Sequence, residues 1–506
     1  MTNQELVVGI DIGLTGMKSS AFDLSGEPVY TARETSPQDM PRPHWVERDG
    51  REFWALTSRM LRNLTDQIER GGDRVLAVGI AAHGDGAWLV DEHGDAVRPG
   101  ILSLDSRGIQ TAARLNEAHG EDLLRVTGQG VGPASPGVVL RWLRDNEPES
   151  LERARWFLSA KDYIRGMLTD SLGTDLTEAS QAFTDVHTQD YVDEAFALYG
   201  LEELRQKAPP IALSTDVVGA VTHLAHLGTG LAEGTPVVAG LHDVDSGAIG
   251  AGAVRAGQLA VMAGTWSINE VISAKPSMDP QWFCRAFIER GTWMNMSISP
   301  ASSANLEWFV NNLCAAELDA ARRANEDPYA FVDREIGQVL GDAEMVTFLP
   351  FLYGNPLGID ASAALVGLRA WHRRGHVLRA IFEGIAFNHR FHVDPLASAF
   401  EVDDIRVVGG VTQSAIWPQM FADAMGRPLT IPVRPEGGSL GAAMVAAVGI
   451  GAFADLSAAA EAMGSEVRTV EPDPDGVQRM QERYDAFLAQ VDVQRPWWEA
   501  HHASEG

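Results

Sequence analysis

Basic residues are scarce in this chain: 40 Lys and Arg stand against 69 Asp and Glu, for a formal net charge of −29 over 506 residues. A nucleic-acid surface needs a basic face, and no basic run exists, so that partner class is excluded. An anionic ligand must instead be held by backbone N–H groups, a few cations or a metal. Cysteine is almost missing, with Cys284 and Cys314 alone. They allow one disulfide arithmetically, the chain has no need of it, and the lack of any C-x-x-C pair excludes a zinc site of that type. No apolar run is long enough to span a bilayer. The opening Met1-Thr2-Asn3-Gln4-Glu5 has no basic region ahead of a long apolar stretch, so no secretory signal and a cytoplasmic location are expected.

What is present is globular: 45% hydrophobic and 22% charged residues. The length exceeds what one hydrophobic core usually carries, which implies two domains. The stretch Val237-Val238-Ala239-Gly240-Leu241-His242-Asp243 reads as a buried strand that delivers Asp243 at its carboxyl end, followed by the small residues of a tight helix or turn. Ligand sites of α/β proteins lie at such strand ends. A carboxylate there can take a proton from a hydroxyl or hold a metal; alternatively, Asp243 or Asp245 merely caps the next helix.

Leu6 to Gly13 is a second buried strand, with Asp11 near its end, and Met17 to Leu24 returns alongside it. Gly13-Leu14-Thr15-Gly16-Met17-Lys18-Ser19 superficially resembles a phosphate loop, but it lacks the required gap and opens a strand rather than a helix. The workable version is a hairpin whose turn amides and Thr15 hydroxyl meet phosphate oxygens; an ordinary glycine hairpin is the alternative. Arg74 to Ile80 is another buried strand, ending in Ala81-Ala82-His83-Gly84-Asp85-Gly86. Polar groups at successive strand ends suit a polyol pocket, and turn chemistry or capping would also explain them. From Asp105 to about Leu231 the chain reads as mainly helical.

Gln258 to Ile272 repeats the opening pattern of strand, Gly-Thr and returning strand, with Gly264-Thr265 at the turn. Two such hairpins could cradle one polyphosphate. Ser299 to Phe309 opens a helix with several capping hydroxyls, and a long buried helix starts near Arg374. Ile405 to Gly410 is a strand ending in a glycine pair that permits close approach of a flat ligand, or simply a tight turn. Glu436 to Ala443 is a small-residue helix that must pack very closely. The tail after Pro496 is expected to be mobile unless Trp497 and Trp498 pin it.

Taken in order, these motifs resemble the FGGY family of carbohydrate kinases, within the larger group that includes actin and hexokinase. The matching stretches are Asp11 to Thr15, Trp45-Val46-Glu47, Leu104 to Arg107, Gly240 to Asp243, Ala263-Gly264-Thr265, Phe351 to Gly354, Arg379 to Gly384 and Gly409-Gly410. The resemblance implies an α/β fold of two ribonuclease-H-like domains, residues 1–247 and 248–506, with an active-site cleft between them. It implies transfer of the γ-phosphoryl group of ATP, with Mg²⁺, to a hydroxyl of a small sugar or polyol. By resemblance, Asp243 is the catalytic base and Asp11, with Asp243, the metal site. Thr15, Lys18, Gly264 and Thr265 fall at phosphate-contacting positions, and Ser303, Gly409, Gly410 and Ser414 where the nucleoside sits. His83, Gly84, Asp85, Ser103, Asp105 and Asp243 fall in the sugar site.

Two departures stand out. Ser103 occupies a position where many members carry Trp, and Leu14 stands where some have a hydroxyl. Ser299 to Phe309, Ile101-Leu102-Ser103 and Phe348 to Gly354 are most similar to L-xylulose kinases, whereas Gly84 to Leu89 and Leu104 to Arg107 are more similar to erythritol kinases. The wider pocket left by Ser103 favours L-xylulose or a related pentulose or pentitol, with erythritol second. A sugar- and ATP-binding regulator without turnover and an actin-like filament protein are the readings from other classes. The expected partners are the small-molecule substrate and no nucleic acid or membrane, and a homodimer is compatible with the sequence.

Overall fold

The computed structural model describes residues 4–343, 346–434 and 437–502. Glu436, read above as the start of the small-residue helix, lies outside the described residues. The chain divides into two compact units. The first comprises Met1–Ala256, Ile272–Asn295 and Glu436–Ser465; the second comprises Gly257–Val271, Met296–Pro435 and Glu466–Gly506.

The first unit is built on a mixed sheet. Its strands are β1 (Glu5–Ile12), β2 (Gly16–Phe22), β3 (Pro28–Thr35), β4 (Arg74–Ala82), β5 (Val217–Ala220), β6 (Pro236–Val238) and β7 (Leu241–His242). They are ordered β5-β6-β4-β1-β2-β3, with β7 also paired to β4. β1 runs antiparallel to β2 and parallel to β4. The strands at the centre are unbroken apolar runs because both of their faces are covered. The helix Gly50–Gly71 covers one face with Phe53, Met60, Leu61, Leu64 and Ile68, and Asp49 caps its first turn by accepting from the amides of Arg51 and Glu52. The helix Gly438–Gly449 covers the other, and here glycine is a packing requirement. A Cβ on Gly9 of β1 would strike the Ser439 carbonyl, and one on Gly79 of β4 would strike the Ala442 carbonyl. Close packing of this small-residue helix is therefore achieved backbone to backbone.

The second unit repeats the plan. Its strands β8 (Gln258–Ala263), β9 (Ser267–Ser273), β10 (Trp293–Ser299), β11 (Asp404–Val408), β12 (Leu429–Pro432) and β13 (Val467–Val470) lie in the order β10-β9-β8-β11-β12-β13. β8 is antiparallel to β9 and parallel to β11. β1, β2 and β4 of the first unit thus correspond to β8, β9 and β11. The faint repeat of strand, Gly, Thr and strand in the sequence marks a duplicated fold.

Two expectations need correction and two hold. The segment leading to Asp243 is two short strands rather than one, because Gly240 adopts φ 78° between them. The stretch 105–231 is mainly helical, as expected, with short strands at Trp156–Leu158, Thr174–Asp175, Ile211–Ala212 and Val217–Ala220. The hydroxyls ahead of the helix Ala304–Leu313 do not cap it; Ser303 donates to the Gly264 carbonyl and Ser302 bonds His389 at 3.0 Å. The last helix, Pro474–His502, continues through Pro496, with Trp498 buried against Phe351 and Trp497 half exposed. Cys284 and Cys314 are both free and buried. Among the described residues no helix is long and apolar enough to cross a membrane.

Candidate active site

Three parallel strand ends assemble the site of the first unit. Asp11 on β1 pairs in register with Ala81 on β4, and Leu241 on β7 pairs with the same Ala81 from the other side. The chain leaving β4 therefore carries His83, Gly84 and Asp85 into the space flanked by Asp11 and Asp243. The His83 amide bonds the Ile12 carbonyl at 3.0 Å. Gly84 must be glycine, because a Cβ there would meet the side chains of Gln181 and His242. Asp85 takes a left-handed conformation, φ 55°, held by its amide donating to Gln181 Oε1 at 2.7 Å. His242 Nε2 lies 3.3 Å from Asp243 Oδ1. Asp243 opens the helix Asp243–Gly250, with Asp245 buried two residues on.

The electrostatics are those of carboxylates crowded away from water. Burial pushes Asp11 up to about 6, partly offset by Lys18, its register partner on β2. Burial and then the charge of Asp11 push Asp243 up to about 7. Burial also raises Asp85, which the neighbouring Arg285 opposes. His83 is driven down to about 3 by burial and by the charge of Arg48, so its ring is neutral.

Beneath the site lies a buried ionic network that explains the break between β6 and β7. Lys161 Nζ sits 2.5 Å from Asp162, 3.1 Å from Asp175 and 3.1 Å from the Ala239 carbonyl. Arg165 donates to the same carbonyl at 3.1 Å. Asp175 accepts from the amide and hydroxyl of Thr177 and from Ser214. Two cations therefore fix the last carbonyl before Gly240, and the Gly240 amide bonds the Ser214 carbonyl at 3.1 Å. The kink that aims Asp243 is anchored from behind.

In the second unit the β8–β9 hairpin turns through Gly264 and Thr265, with Thr265 exposed, as Thr15 is at the β1–β2 turn. Gly409 adopts φ 109° where a Cβ would strike the Ala263 carbonyl. Ser303, Gly410 and Ser414 line one cavity of about 300 Å³ together with Tyr329, Phe382 and Trp417. Phe382 and Trp417 stack at 3.9 Å, and Ser414 donates to Asp333 at 2.7 Å. A half-apolar slot with stacked rings and a glycine floor suits a flat heterocycle.

One residue named from the sequence is not brought into the site. Asp105 is fully buried, with one oxygen accepting from the Val46 amide at 2.7 Å and both engaged by Arg107, which also pairs with Glu47. This carboxylate organises a structural web over Trp45 and has no oxygen left for a ligand. Ser103 is half-buried nearby. Conversely, sequence reasoning passed over Gln181, Arg285, Gln129 and the Lys161–Asp175 network. Arg285 lies on the strand Phe283–Ala286, donates to Gln129 Oε1 at 3.0 Å and stands 3.5 Å from Asp85. A cation alternating with apolar residues in a strand was the available signal.

A magnesium ion fits the residues present. No group of three or more potential ligands forms a cage among the described residues. Mg²⁺ bound with a nucleotide needs none, since one or two carboxylates suffice when phosphates and water complete the octahedron. Asp11 and Asp243 are such a pair, each raised by burial, and a Cβ on Gly438 would fall onto the Asp11 carboxylate, so that face is kept open by glycine.

Similarity to known proteins extends over nearly the whole chain. The model of the FGGY family of carbohydrate kinases, N-terminal domain, matches residues 6–250, and that of the C-terminal domain matches residues 259–450. The chain is 33% identical to a probable L-xylulose kinase of Pasteurella multocida, over 95% of this chain and 97% of that protein. It is 31% identical to the L-xylulose/3-keto-L-gulonate kinase of Escherichia coli, over 95% of each. The crystal structure of xylulose kinase from Rhodospirillum rubrum superimposes with a TM-score of 0.88 at 27% identity, covering 97% of this chain and 99% of that one.

Proposed function

Because this chain belongs to the FGGY family of carbohydrate kinases, we propose that it transfers the γ-phosphoryl group of ATP to a hydroxyl of L-xylulose or a close pentulose. The observation that carries the mechanism is the placement of Asp11 and Asp243 at the ends of the two strands that flank β4, each with its carboxyl group raised.

Phosphoryl transfer requires alignment and charge neutralisation more than covalent chemistry. Asp243, raised towards neutrality, is matched to accept the proton of the attacking hydroxyl. His242 Nε2 holds the orientation of that carboxylate. His83, neutral and with both ring nitrogens unpaired in the protein, offers one donor and one acceptor to a substrate hydroxyl, and Asp85 offers an acceptor. Asp11, with Asp243 beside it, would hold Mg²⁺, which when bound neutralises charge on the phosphate oxygens. Amides and hydroxyls at the turns of Thr15 and Thr265 contact phosphates, with Lys18 behind the first turn. The cavity lined by Ser303, Gly410 and Ser414 takes the nucleoside, with Gly409 at its edge.

The L-xylulose assignment rests on the names of the Pasteurella and Escherichia relatives and on the small Ser103 in place of a wall. The four-carbon alternative, erythritol, has only the Gly-Asp-Gly turn in its favour. The test is ADP release with ATP and Mg²⁺ over a panel of pentuloses, pentitols and tetritols. L-Xylulose or a close pentulose should give the highest kcat/KM. An erythritol value tenfold above every five-carbon compound would reject the substrate while leaving the kinase standing.

A further inference from the structure

Arg285 reaches the sugar site from the strand Phe283–Ala286 and is buried. Its Nε is engaged by Gln129 at 3.0 Å, and Nη2 lies 3.5 Å from Asp85 Oδ1. Its Nη1 is buried and has no hydrogen-bond partner within the protein. A guanidinium has donors only, and a buried donor left unmatched is costly. Position shows what it can match. Asp85 follows Gly84, Gly84 faces His242, and His242 lies 3.3 Å from Asp243. The guanidinium thus stands beside Asp85, in the row of neighbours that runs to the residue assigned as base, and the charge of Arg285 is felt at His242, Asp243 and Asp245.

We propose that Arg285 selects an open-chain keto sugar over the matching polyol by donating its Nη1 hydrogen to the substrate's carbonyl oxygen. The proposal rests on the pentulose-kinase reading above. The remaining polar groups of the site suit hydroxyls: Asp85 and Asp243 accept, and His83 can do both. Arg285 alone only donates, so it fits the one substrate oxygen that carries no proton. A polyol has a hydroxyl in that place and must find an acceptor for an additional proton. The nearest carboxylate oxygen, Asp85 Oδ1, already faces Nη2. Sites built around a hydrogen bond discriminate strongly against the analogue that cannot complete it.

The experiment compares wild type, Arg285→Lys and Arg285→Gln with L-xylulose and with xylitol and L-arabinitol, the two products of reducing its carbonyl. In wild type, kcat/KM for the ketose should exceed that for either pentitol at least tenfold. Both variants should lose about 10- to 100-fold on the ketose and less than about threefold on the pentitols, with KM for ATP unchanged. Ketose and pentitols falling together, or no loss on the ketose, would overturn the proposal. A wild-type ratio below ten does so on its own, which decides the matter even where neither variant folds. Wild type active on erythritol and on none of the three would instead reject the pentulose reading, and this inference with it.

Discussion

His242 Nε2 lies 3.3 Å from the Asp243 carboxylate while Nδ1 of the same ring lies 3.7 Å from Asp245. Burial holds the imidazole well below its ordinary range, so it stands neutral between two acids. Replacing Asp243 by Asn keeps this geometry and removes the base. Turnover should fall about 10²–10⁴-fold, with ATP affinity nearly intact by calorimetric titration. Near-normal turnover would make Asp245 the proton acceptor.

Thr15→Val and Thr265→Val each remove a hydroxyl from the turn of an equivalent hairpin, β1–β2 and β8–β9. Steady-state kinetics should show KM for ATP rising in both variants and KM for the sugar barely changing. Movement of the sugar constant instead would reject the phosphate role of the turns.

Lys161→Met leaves Asp162 and Asp175 buried opposite a reduced cation set, with Arg165 alone on the Ala239 carbonyl. Breaking a buried ion pair by removing one partner costs about 3–5 kcal/mol. A clear drop in melting temperature should accompany a loss of kcat, because the kink at Gly240 loses its anchor. An unchanged melting temperature would show the network to be dispensable.

Acid should destabilise the second unit through two histidines. His389 bonds Ser267, Asn269 and Ser302, and His392 bonds Ser297 and Ser299. Burial drives each down to about 3 from an ordinary 6.5, with His392 adding to the effect on His389. The unfolded chain therefore binds more protons than the folded one between those values. Stability is full above about pH 6.5 and declines as pH falls towards 3, at up to about 1.4 kcal/mol per pH unit for each ring. Calorimetric unfolding at pH 5 in buffers of different ionisation enthalpy should report proton uptake; zero uptake would contradict the buried neutral state.

The elements that positioned Asp11, Asp243, the two hairpins and the glycine pair were legible because each is a local pattern. An apolar run ending in an acid or a glycine is visible within about ten residues. The Lys161 network was not, because the Lys161–Asp162 pair, Asp175 and the Ala239 carbonyl come from three separate segments. Arg285 meets Asp85 across 200 positions for the same reason. Asp105 was misleading because a motif neighbouring the sugar site in sequence turns its carboxylate back onto Arg107 and the Val46 amide. The tail after Pro496 could be mobile or pinned by its tryptophans, and Trp498 lies buried there with the helix continuing through the proline. Tertiary anchoring outweighs the loss of one backbone bond.

The contact of Gly9 and Gly79 with the carbonyls of Ser439 and Ala442 has a consequence for biosynthesis. Strands β1 to β4 of the sheet that carries Asp11 appear on the ribosome within the first hundred residues, but the helix that seals one of their faces is translated more than three hundred residues later. Until then an apolar, glycine-notched surface stands open to water and to chaperones. A nascent chain arrested before Gly437 should be protease-sensitive in β1 and β4, and release of the segment through Gly449 should make both resistant in one step.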